Sequence, residues 1–312
     1  MATEQTIVPG IDVSPLALGT NVFGWTADAG TSHQILDRYV EAGGNVLDTA
    51  DSYSFWARGN TGGESETIIG QWLTGRSDRN ELVIATKVSH HPQLSGLAPA
   101  TIRTAVDGSL SRLGIDAIDI YYAHYDDPDT PLVESIGAMS RLVDQGKVRS
   151  IGLSNFTAER IEEWLRITDQ EGFHAPVALE PQYSLVERGI EDDVLPLARR
   201  HGLAVMPYYS LAHGFLTGKY GGDDRIDSPR AADASKYLTP KGRKVLEALK
   251  QVATEHAVPP ASIALAWLTA QDGVAAPIAS ARDTEQLEPL LRSMEIVLSR
   301  SELRLLEGAS RS

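Results

Sequence analysis

Cysteine is absent from the sequence. The chain therefore has no disulfide bonds, no thiolate ligands for a metal and no cysteine nucleophile. Long apolar runs are missing too, since none approaches the roughly 20 residues that span a bilayer. The first residues, MATEQTIVPG, lack the basic and apolar regions of a signal peptide. We therefore expect a cytoplasmic protein that does not enter a membrane.

Basic residues are few relative to acidic ones. The 28 lysines and arginines against 42 aspartates and glutamates give a formal net charge of −14. Such a charge repels polyanions, so it argues against a nucleic acid or an anionic membrane surface as a partner. A ligand that carries phosphate would need a local basic patch. The 312 residues, 42% of them hydrophobic, are enough to bury a sizeable core.

Eight short apolar runs recur along the chain. They are continuous rather than alternating, which is typical of strands covered on both faces. The predicted strands cover residues 16–19, 45–48, 82–87, 118–124, 148–154, 177–182, 203–209 and 274–280. Segments with helical periodicity lie between them, such as 32–44, 99–114 and 130–146, and each of these three ends at glycine.

This alternation of strand and helix predicts an α/β fold, the (β/α)8 TIM barrel, with a doubly wound sheet as the alternative. No linker and no shift in composition divides the chain, so we predict a single domain over residues 1–312. An N-terminal β-hairpin with its turn at Pro9-Gly10 should precede the first strand. A long loop over 211–238 follows the seventh strand, and its length favours a lid, with a disordered surface loop as the alternative. Weak periodicity over 285–309 predicts terminal helices.

Polar side chains follow three successive predicted strands. The second strand ends at Asp48, with Tyr53 shortly after it, the third ends at Lys87 and the fourth at His124. The carboxyl ends of parallel strands meet at one face of a barrel, so we expect these four groups to converge there. Taken singly, each has a structural alternative: a turn cap, a packing tyrosine, a solvent-exposed lysine and a core histidine.

Together the four groups can move a proton. A buried lysine beside a tyrosine favours the phenolate, so we expect Lys87 to lower the pKa of Tyr53 from its usual value of about 10. An aspartate paired with the lysine keeps its ammonium charged. A histidine nearby can hydrogen-bond to a carbonyl oxygen that receives the proton. Such a site can polarise and protonate a C=O group, but it needs a source of electrons.

Eight motifs resemble those of the aldo-keto reductase family, in the family's order. They are LDTADSY (47–53), GESE (63–66), ATK (85–87), IDIYYAHYDDPDTP (118–131), GKVRSIGLSNF (146–156), EPQYSL (180–185), PYYSLAHGFLTGKY (207–220) and PIASARDTEQL (277–287). The resemblance implies a (β/α)8 barrel and an NAD(P)H-dependent oxidoreductase that acts on CH–OH and C=O groups. It also implies a small-molecule carbonyl substrate and no metal.

The resemblance implies roles for individual residues. Tyr53 would be the general acid in reduction, tuned by Lys87 and Asp48, and His124 would orient the carbonyl. The residues implied in cofactor binding are Thr20, Ser154, Asn155, Gln182, Tyr208, Ser210, Leu211, Gly214, Ser280, Ala281, Arg282 and Gln286. The substrate pocket is expected to contain the aromatic residues Trp25, Trp56 and Tyr125, which suit an apolar aldehyde or ketone.

Arg282 is expected to decide the cofactor in favour of NADPH over NADH. A guanidinium pairs well with the 2′-phosphate that distinguishes the two. Family members often end this motif with Glu-Asn, whereas this chain has Pro289-Leu290, which removes a side-chain contact to adenine. Asp283 places a negative charge near the expected phosphate.

Two other functions fit parts of the pattern. Some barrels with this resemblance are nucleotide-sensing subunits of potassium channels with little turnover, and they keep the four catalytic residues. A metal-dependent barrel hydrolase could use His90, His91, His124, Asp126 and Asp127. The first predicted strand, however, lacks the His-x-His pair that such barrels usually carry.

Overall fold

The centre of the fold is a sheet of eight parallel strands. The computed structural model describes residues 7–8, 11–219 and 230–311. In chain order the strands are β1 (Ala17–Gly19), β2 (Val46–Asp48), β3 (Val83–Val88), β4 (Ile118–Ala123), β5 (Val148–Ser154), β6 (Pro176–Glu180), β7 (Ala204–Val205) and β8 (Ile278–Ala279). Their order in the sheet is β8-β1-β2-β3-β4-β5-β6-β7. Each strand therefore pairs with its neighbour in sequence, and the last pairs with the first.

Backbone hydrogen bonds join the two ends of this order and close the sheet into a barrel. Ala275 N donates to Val205 O over 2.9 Å, and Ile278 N donates to Pro207 O over 2.8 Å. An open doubly wound sheet has two free edges, so the (β/α)8 prediction is confirmed and the alternative is wrong. β7 and β8 are shorter than predicted, because Pro207 and Pro277 have no N–H for the ladder.

Helices cover the outside of the barrel. They are α1 (Ala29–Glu41), α2 (Glu64–Leu73), α3 (Pro99–Leu113), α4 (Leu132–Asp144), α5 (Ala158–Glu171), α6 (Val194–His201), α7 (Ala231–Ser235), α8 (Pro240–His256), α9 (Pro260–Thr269), α10 (Thr284–Arg292) and α11 (Arg300–Arg311). Short 3-10 helices cover Arg79–Glu81, Gly189–Glu191, Ala212–Thr217 and Ser293–Glu295. A small antiparallel hairpin, His90–His91 with Leu94–Ser95, follows β3.

Local sequence sets the helix ends. The Asp28 carboxylate accepts a hydrogen bond from Thr31 N over 2.8 Å and begins α1. Gly114 ends α3 with a φ of 64°, a left-handed conformation that favours glycine. The helices predicted over 32–44, 99–114 and 130–146 correspond to α1, α3 and α4, and the terminal periodicity corresponds to α10 and α11. These predictions are confirmed.

Side chains fill the interior of the barrel below the carboxyl ends of the strands. Tyr122 lies in this core, and its hydroxyl donates to Met206 Sδ over 3.4 Å. Gly152 on the next strand leaves room for it, because a Cβ there would lie 2.3 Å from the Tyr122 ring. Ile7 and Val8, which precede the first strand, belong to the same buried cluster. The carboxyl end is left for a site.

Two predicted segments fall partly outside the described residues. The turn at Pro9-Gly10 lies outside them, but Val8 and Ile11 form an antiparallel bridge in which Ile11 N donates to Val8 O over 3.1 Å. Within the predicted loop at 211–238, residues 220–229 lie outside. The described flanks form the 3-10 helix Ala212–Thr217 and α7. The lid therefore stays a prediction.

None of the described helices combines the length and the apolar character that crossing a membrane requires. The single domain over residues 1–312 and the cytoplasmic location both stay predictions.

Candidate active site

The carboxyl ends of the strands surround a cavity of about 400 Å³. Asp48 ends β2, His124 follows β4 and Glu180 ends β6, and all three line the cavity. Tyr53 reaches the same place from the loop after β2. Lys87, on β3, is fully buried directly behind them. The four groups predicted at the strand ends therefore lie together.

Asp48, Lys87 and Tyr53 form a connected hydrogen-bond network. Lys87 Nζ donates to Asp48 Oδ1 over 2.5 Å, to Thr49 O over 2.9 Å and to Tyr53 Oη over 3.0 Å. The Tyr53 hydroxyl in turn donates to Asp48 Oδ2 over 3.2 Å. An ammonium has three donors, and here each of them has a protein acceptor, so the position of Lys87 is fixed.

Burial and the two carboxylates control the charges of this network. Burial alone lowers the pKa of Lys87, but the charges of Asp48 and Glu180 outweigh it, so that pKa lies well above its ordinary value. The pKa of Tyr53 is also raised well above its ordinary value, first by burial and then by Asp48, although Lys87 acts in the opposite direction. The expectation that Lys87 leaves Tyr53 with a lowered pKa is therefore wrong. Tyr53 is a protonated phenol at neutral pH.

His124 lies beside Tyr53, with the two ring centroids 6.3 Å apart. Burial lowers the pKa of His124 well below its ordinary value, and the charges of Lys87 and His90 add to the effect. Among the described residues its Nδ1 has no hydrogen-bond partner. The imidazole is therefore neutral, and it can hydrogen-bond to a polar ligand atom without bringing a charge.

Glu180 was not predicted from the sequence. The predicted strand 177–182 ended at Gln182, but β6 ends at Glu180, since Pro181 has no N–H for the ladder. Glu180 Oε1 lies 3.4 Å from Lys87 Nζ. Gln182 does not line the cavity, and its Nε2 donates to Tyr237 Oη over 3.4 Å. A signal was available, because the apolar run VALE ends at an acid in the same way as NVLD does at Asp48.

Ser154, Asn155 and Tyr208 line the cavity next to this network. Asn155 Nδ2 donates to His124 O over 3.0 Å, and the Tyr208 hydroxyl donates to Asn155 Oδ1 over 2.6 Å. Ser154 Oγ donates to Glu180 O over 2.9 Å. Asn155 has a φ of 60°, a left-handed conformation that asparagine adopts more readily than most residues other than glycine.

The lining of the cavity includes three basic side chains. Lys219, Arg230 and Arg282 line it, and we call these three residues the basic patch. Burial lowers the pKa of Lys219, and the charges of Arg282 and Arg230 lower it further, so the three cations act on one another. Asp283 does not neutralise them through a salt bridge within 4.0 Å in the described residues, because its carboxylate caps α10 by accepting from Gln286 N over 2.7 Å.

Most residues that were predicted to bind a cofactor surround this cavity. Those that line it are Ser154, Asn155, Tyr208, Ser210, Leu211, Gly214, Ser280, Arg282 and Gln286. Thr20, Gln182 and Ala281 are not part of the lining. Thr20 is buried beneath it, where its hydroxyl donates to Asp48 O over 2.8 Å, and Ala281 is buried in the core.

Aromatic side chains form the rim of the cavity near Tyr53. Trp25, Trp56 and Tyr125, the residues predicted for the substrate pocket, all line it. The rings of Trp25 and Trp56 meet edge to face with centroids 5.8 Å apart. Trp56 is 44% exposed and Tyr125 is 41% exposed. Large exposed aromatic groups beside a cavity provide a surface for an apolar ligand.

The candidate metal ligands do not converge. Asp126 forms a salt bridge with Arg160 over 2.7 Å, and Asp127 accepts a hydrogen bond from Leu97 N over 2.7 Å. Within residues 7–8, 11–219 and 230–311, no group of three or more His, Asp or Glu side chains could hold a metal ion. The hydrolase alternative therefore has no site in this part of the chain.

Comparison with known proteins identifies the family. The model of the Aldo/keto reductase family matches residues 15–311. The chain is 35% identical over 309 residues to the uncharacterized oxidoreductase YrpG of Bacillus subtilis (strain 168), which covers 95% of this chain and 92% of the relative. It is 31% identical over 326 residues to the NADH-specific methylglyoxal reductase of Escherichia coli (strain K12), covering 95% and 94%. It is 30% identical over 308 residues to a putative voltage-gated potassium channel subunit beta of Schizosaccharomyces pombe, covering 92% and 86%.

The chain therefore belongs to the aldo/keto reductase family. Its class is that of the NAD(P)H-dependent oxidoreductases that act on CH–OH and C=O groups. The predictions of family, fold and enzyme class are confirmed. Members of this family use a nicotinamide cofactor and act on small carbonyl substrates.

Proposed function

We propose that this chain reduces aldehydes or ketones with NADPH and that Tyr53 donates the proton. The observation that carries the proposal is the hydrogen-bonded group of Tyr53, Lys87 and Asp48 at the floor of the cavity, with the neutral imidazole of His124 beside it. When bound, the cofactor supplies a hydride to the carbonyl carbon. The protein then has to protonate the carbonyl oxygen and stabilise its developing charge.

Tyr53 holds the proton that this reaction needs. Its phenol is protonated at neutral pH, and it opens onto the cavity. As the proton passes to the carbonyl oxygen, the phenolate that forms faces the ammonium of Lys87, which stabilises it. Asp48 keeps Lys87 charged and in position. His124 donates a hydrogen bond to the same carbonyl oxygen and so orients the substrate.

The basic patch supports NADPH as the cofactor. Guanidinium and ammonium groups are suited to phosphate anions, and Lys219, Arg230 and Arg282 provide them in the lining of the cavity, in a chain that is acidic as a whole. Arg282 would bind the 2′-phosphate. At the end near Tyr53, Ser154, Asn155 and Tyr208 would hold the nicotinamide. Further contacts that we propose come from Ser210, Leu211, Gly214, Ser280 and Gln286.

The aromatic rim supports an apolar substrate. Trp25, Trp56 and Tyr125 offer ring faces and edges next to the predicted proton donor. An aromatic aldehyde or ketone could bury its apolar part against these rings while its carbonyl group reaches Tyr53. An aromatic aldehyde is therefore the probe that we choose for the experiments.

Replacement of Tyr53 by phenylalanine tests the proton donor. We expect Tyr53→Phe to lower kcat for reduction of an aromatic aldehyde by about 10²–10⁴-fold, which is the usual contribution of a general acid. The Kd for NADPH, measured from cofactor fluorescence, should stay at the wild-type value. The matched control is Tyr121→Phe, because Tyr121 is buried on the neighbouring β4 and does not line the cavity. Undiminished turnover in Tyr53→Phe would contradict the mechanism.

Replacement of Arg282 by alanine tests the cofactor. A hydrogen bond to a charged group contributes about 1.5–3 kcal/mol, so we expect Arg282→Ala to raise the Kd for NADPH by about 10- to 100-fold. The Kd for NADH should stay nearly unchanged, since NADH has no 2′-phosphate. The exposed Arg304→Ala on α11 is the control. Equal weakening of both cofactors would rule out a 2′-phosphate contact.

A second candidate function is a nicotinamide-nucleotide-sensing module with little turnover. The relative from Schizosaccharomyces pombe, which is named a putative potassium channel subunit, favours this alternative. In that case NADPH would bind, but reduction across a panel of carbonyl compounds would stay near background. The slow residual rate would also be insensitive to Tyr53→Phe.

A further inference from the structure

The active site contains two acids for one ammonium. Asp48 Oδ1 and Glu180 Oε1 lie 2.5 Å and 3.4 Å from Lys87 Nζ. Both acids are 2% exposed, and Glu180 Oε2 has no hydrogen-bond partner among the described residues. If both carboxyls were ionised, one negative charge would remain uncompensated in a desolvated site, which is costly. One of the two carboxyl groups is therefore expected to be protonated, in addition to the ion pair of an acid with Lys87.

The contacts favour Glu180 as the acid that carries this proton. Asp48 accepts hydrogen bonds from both Lys87 and Tyr53, so its ionised form is well solvated by the protein. Glu180 has one longer contact with the ammonium and a hydrogen bond with the Asp48 carboxyl group, while its Oε2 has no partner among the described residues. Burial raises the pKa of Asp48, although the charge and hydrogen bond of Lys87 oppose this shift. Burial, and then the charge of Asp48, raise the pKa of Glu180 well above its ordinary range. Protonation of Glu180 removes the uncompensated charge and leaves Asp48 to hold Lys87.

We propose that Glu180 is a positioning residue that stays uncharged while Tyr53 gives up its proton, so that the site is electrically neutral before the reaction. This inference rests on the proposed function of Tyr53. With Glu180 neutral, the charges of Asp48 and Lys87 cancel, and the new phenolate forms next to the ammonium. With Glu180 ionised, the site already carries a negative charge, and the phenolate adds a second one. Ionisation of Glu180 therefore slows reduction.

Other titratable groups face Glu180 from the elements packed around it. They are Asp48 on β2, Lys87 on β3, Tyr122 on β4, and Tyr53, Tyr125 and Tyr208 in the strand-end loops. Burial raises the pKa of each of these tyrosines, and the charge of Glu180 adds to the effect. The tyrosines stay protonated and Lys87 stays charged at neutral pH. Among these groups, the carboxyl groups of Asp48 and Glu180 are therefore the ones that can change their protonation near neutral pH.

Infrared spectroscopy can detect the proton on Glu180 without any reaction. A carboxylic acid has a C=O stretching band that a carboxylate lacks. In the difference spectrum of wild type minus Glu180→Gln, we expect such a band at neutral pH and its disappearance as the pH is raised. The matched control is Glu187→Gln, a glutamate in the loop after β6 that does not line the cavity. If no carboxylic acid band is lost in Glu180→Gln at neutral pH, the proposal is overturned.

The pH dependence of kcat tests the consequence for Tyr53. For reduction of an aromatic aldehyde with saturating NADPH, we expect wild-type kcat to fall on the alkaline side as Glu180 ionises. Glu187→Gln should follow the same profile. Glu180→Gln cannot ionise, so its fall should move to higher pH by about one unit or more. A Glu180→Gln profile that superimposes on that of the wild type would overturn the proposed effect on Tyr53.

Two further experiments apply if the Glu180→Gln variant does not fold or if the wild type is inactive. If circular dichroism shows that Glu180→Gln does not fold, Glu180→Met, which is uncharged and of similar length, replaces it in both measurements. If the wild type reduces no carbonyl compound with either cofactor, it is the proposed function that fails. The infrared titration still decides in that case whether Glu180 is protonated.

Discussion

Two buried clusters of acids lie on opposite sides of β3, and each contains one cation. The inner cluster is Asp48, Glu180 and Lys87 at the floor of the cavity. The outer cluster is Asp51, Glu66 and Arg112, between the barrel and helices α2 and α3. In the outer cluster Glu66 is fully buried and accepts from Arg112 Nε over 2.6 Å. Both carboxylate oxygens of Asp51 lack a hydrogen-bond partner among the described residues.

Strand geometry separates the two clusters. Consecutive side chains of a strand point to opposite faces, so Lys87 donates to Asp48 in the inner cluster, while the preceding Thr86 donates to Glu66 in the outer one over 2.6 Å. The inner cluster has a phenol and an open cavity beside it, whereas the outer cluster is enclosed by helices. Similar charges therefore serve chemistry on one face of a strand and packing on the other. The difference lies in access to a ligand rather than in residue type.

Replacing the cation of each cluster should give the largest difference between the inner and the outer cluster. Lys87→Met leaves the Asp48 carboxylate without its counterion and the phenolate without its ammonium. We expect kcat for aldehyde reduction to fall by at least about 10²-fold and the free energy of unfolding to fall by about 3–5 kcal/mol. Steady-state kinetics below the melting temperature and urea denaturation measure the two effects.

The matched variant of the outer cluster is Arg112→Met. The Arg112 side chain is 29% exposed, so we expect a smaller loss of unfolding free energy, about 2–4 kcal/mol, because Glu66 is left buried without its partner. The kcat of the folded fraction should equal that of the wild type. If Arg112→Met lost activity as Lys87→Met does, the functional distinction between the clusters would be wrong.

The third comparison concerns the pH dependence of stability rather than the loss of a cation, and it depends on Asp51. Burial, and then the charge of Glu66, raise the pKa of Asp51 to about 8 from the ordinary 3.8. Between these values the folded protein holds a proton that the unfolded chain has lost. The stability from this group is therefore complete at low pH and declines as the pH rises, by about 1.4 kcal/mol per pH unit, until Asp51 ionises in the folded state.

Asp51→Asn should remove this decline. Urea denaturation at several values from about pH 5 to about pH 9 should show Asp51→Asn gaining on the wild type as the pH rises to about 8, and running parallel to it above that value. The exposed Asp116→Asn is the control and should keep the wild-type slope. Parallel curves for Asp51→Asn and wild type across the whole range would show that Asp51 is ionised in the folded state.

Much of the fold was predictable, because continuous apolar runs mark strands covered on both faces, and glycines mark the helix ends. The convergence of Asp48, Lys87 and His124 was predictable for a geometric reason, since the ends of parallel strands meet at one face. Glu180 was not found, because the end of β6 depends on Pro181, which ends the ladder earlier than the apolar pattern suggests.

The direction of the Tyr53 pKa shift could not be read from the sequence either. Sequence spacing identifies a lysine near a tyrosine, but the net shift depends on how deeply both are buried and on how many acids meet the same ammonium. Glu180 is one of those acids, and it is far from Tyr53 along the chain. Gln182 pairs with Tyr208 in a parallel bridge and its amide donates to Tyr237, so its predicted contact with the cofactor stays a prediction.

The alternation of Thr86 and Lys87 makes β3 intolerant of a change in length. A deletion or insertion of a single residue within Val83–Val88 would exchange the two faces of the strand downstream of it. Lys87 would then be directed toward Arg112, and the proton donor would lose its ammonium although every residue type was still present. Relatives that share the reaction should therefore keep the number of residues in this strand.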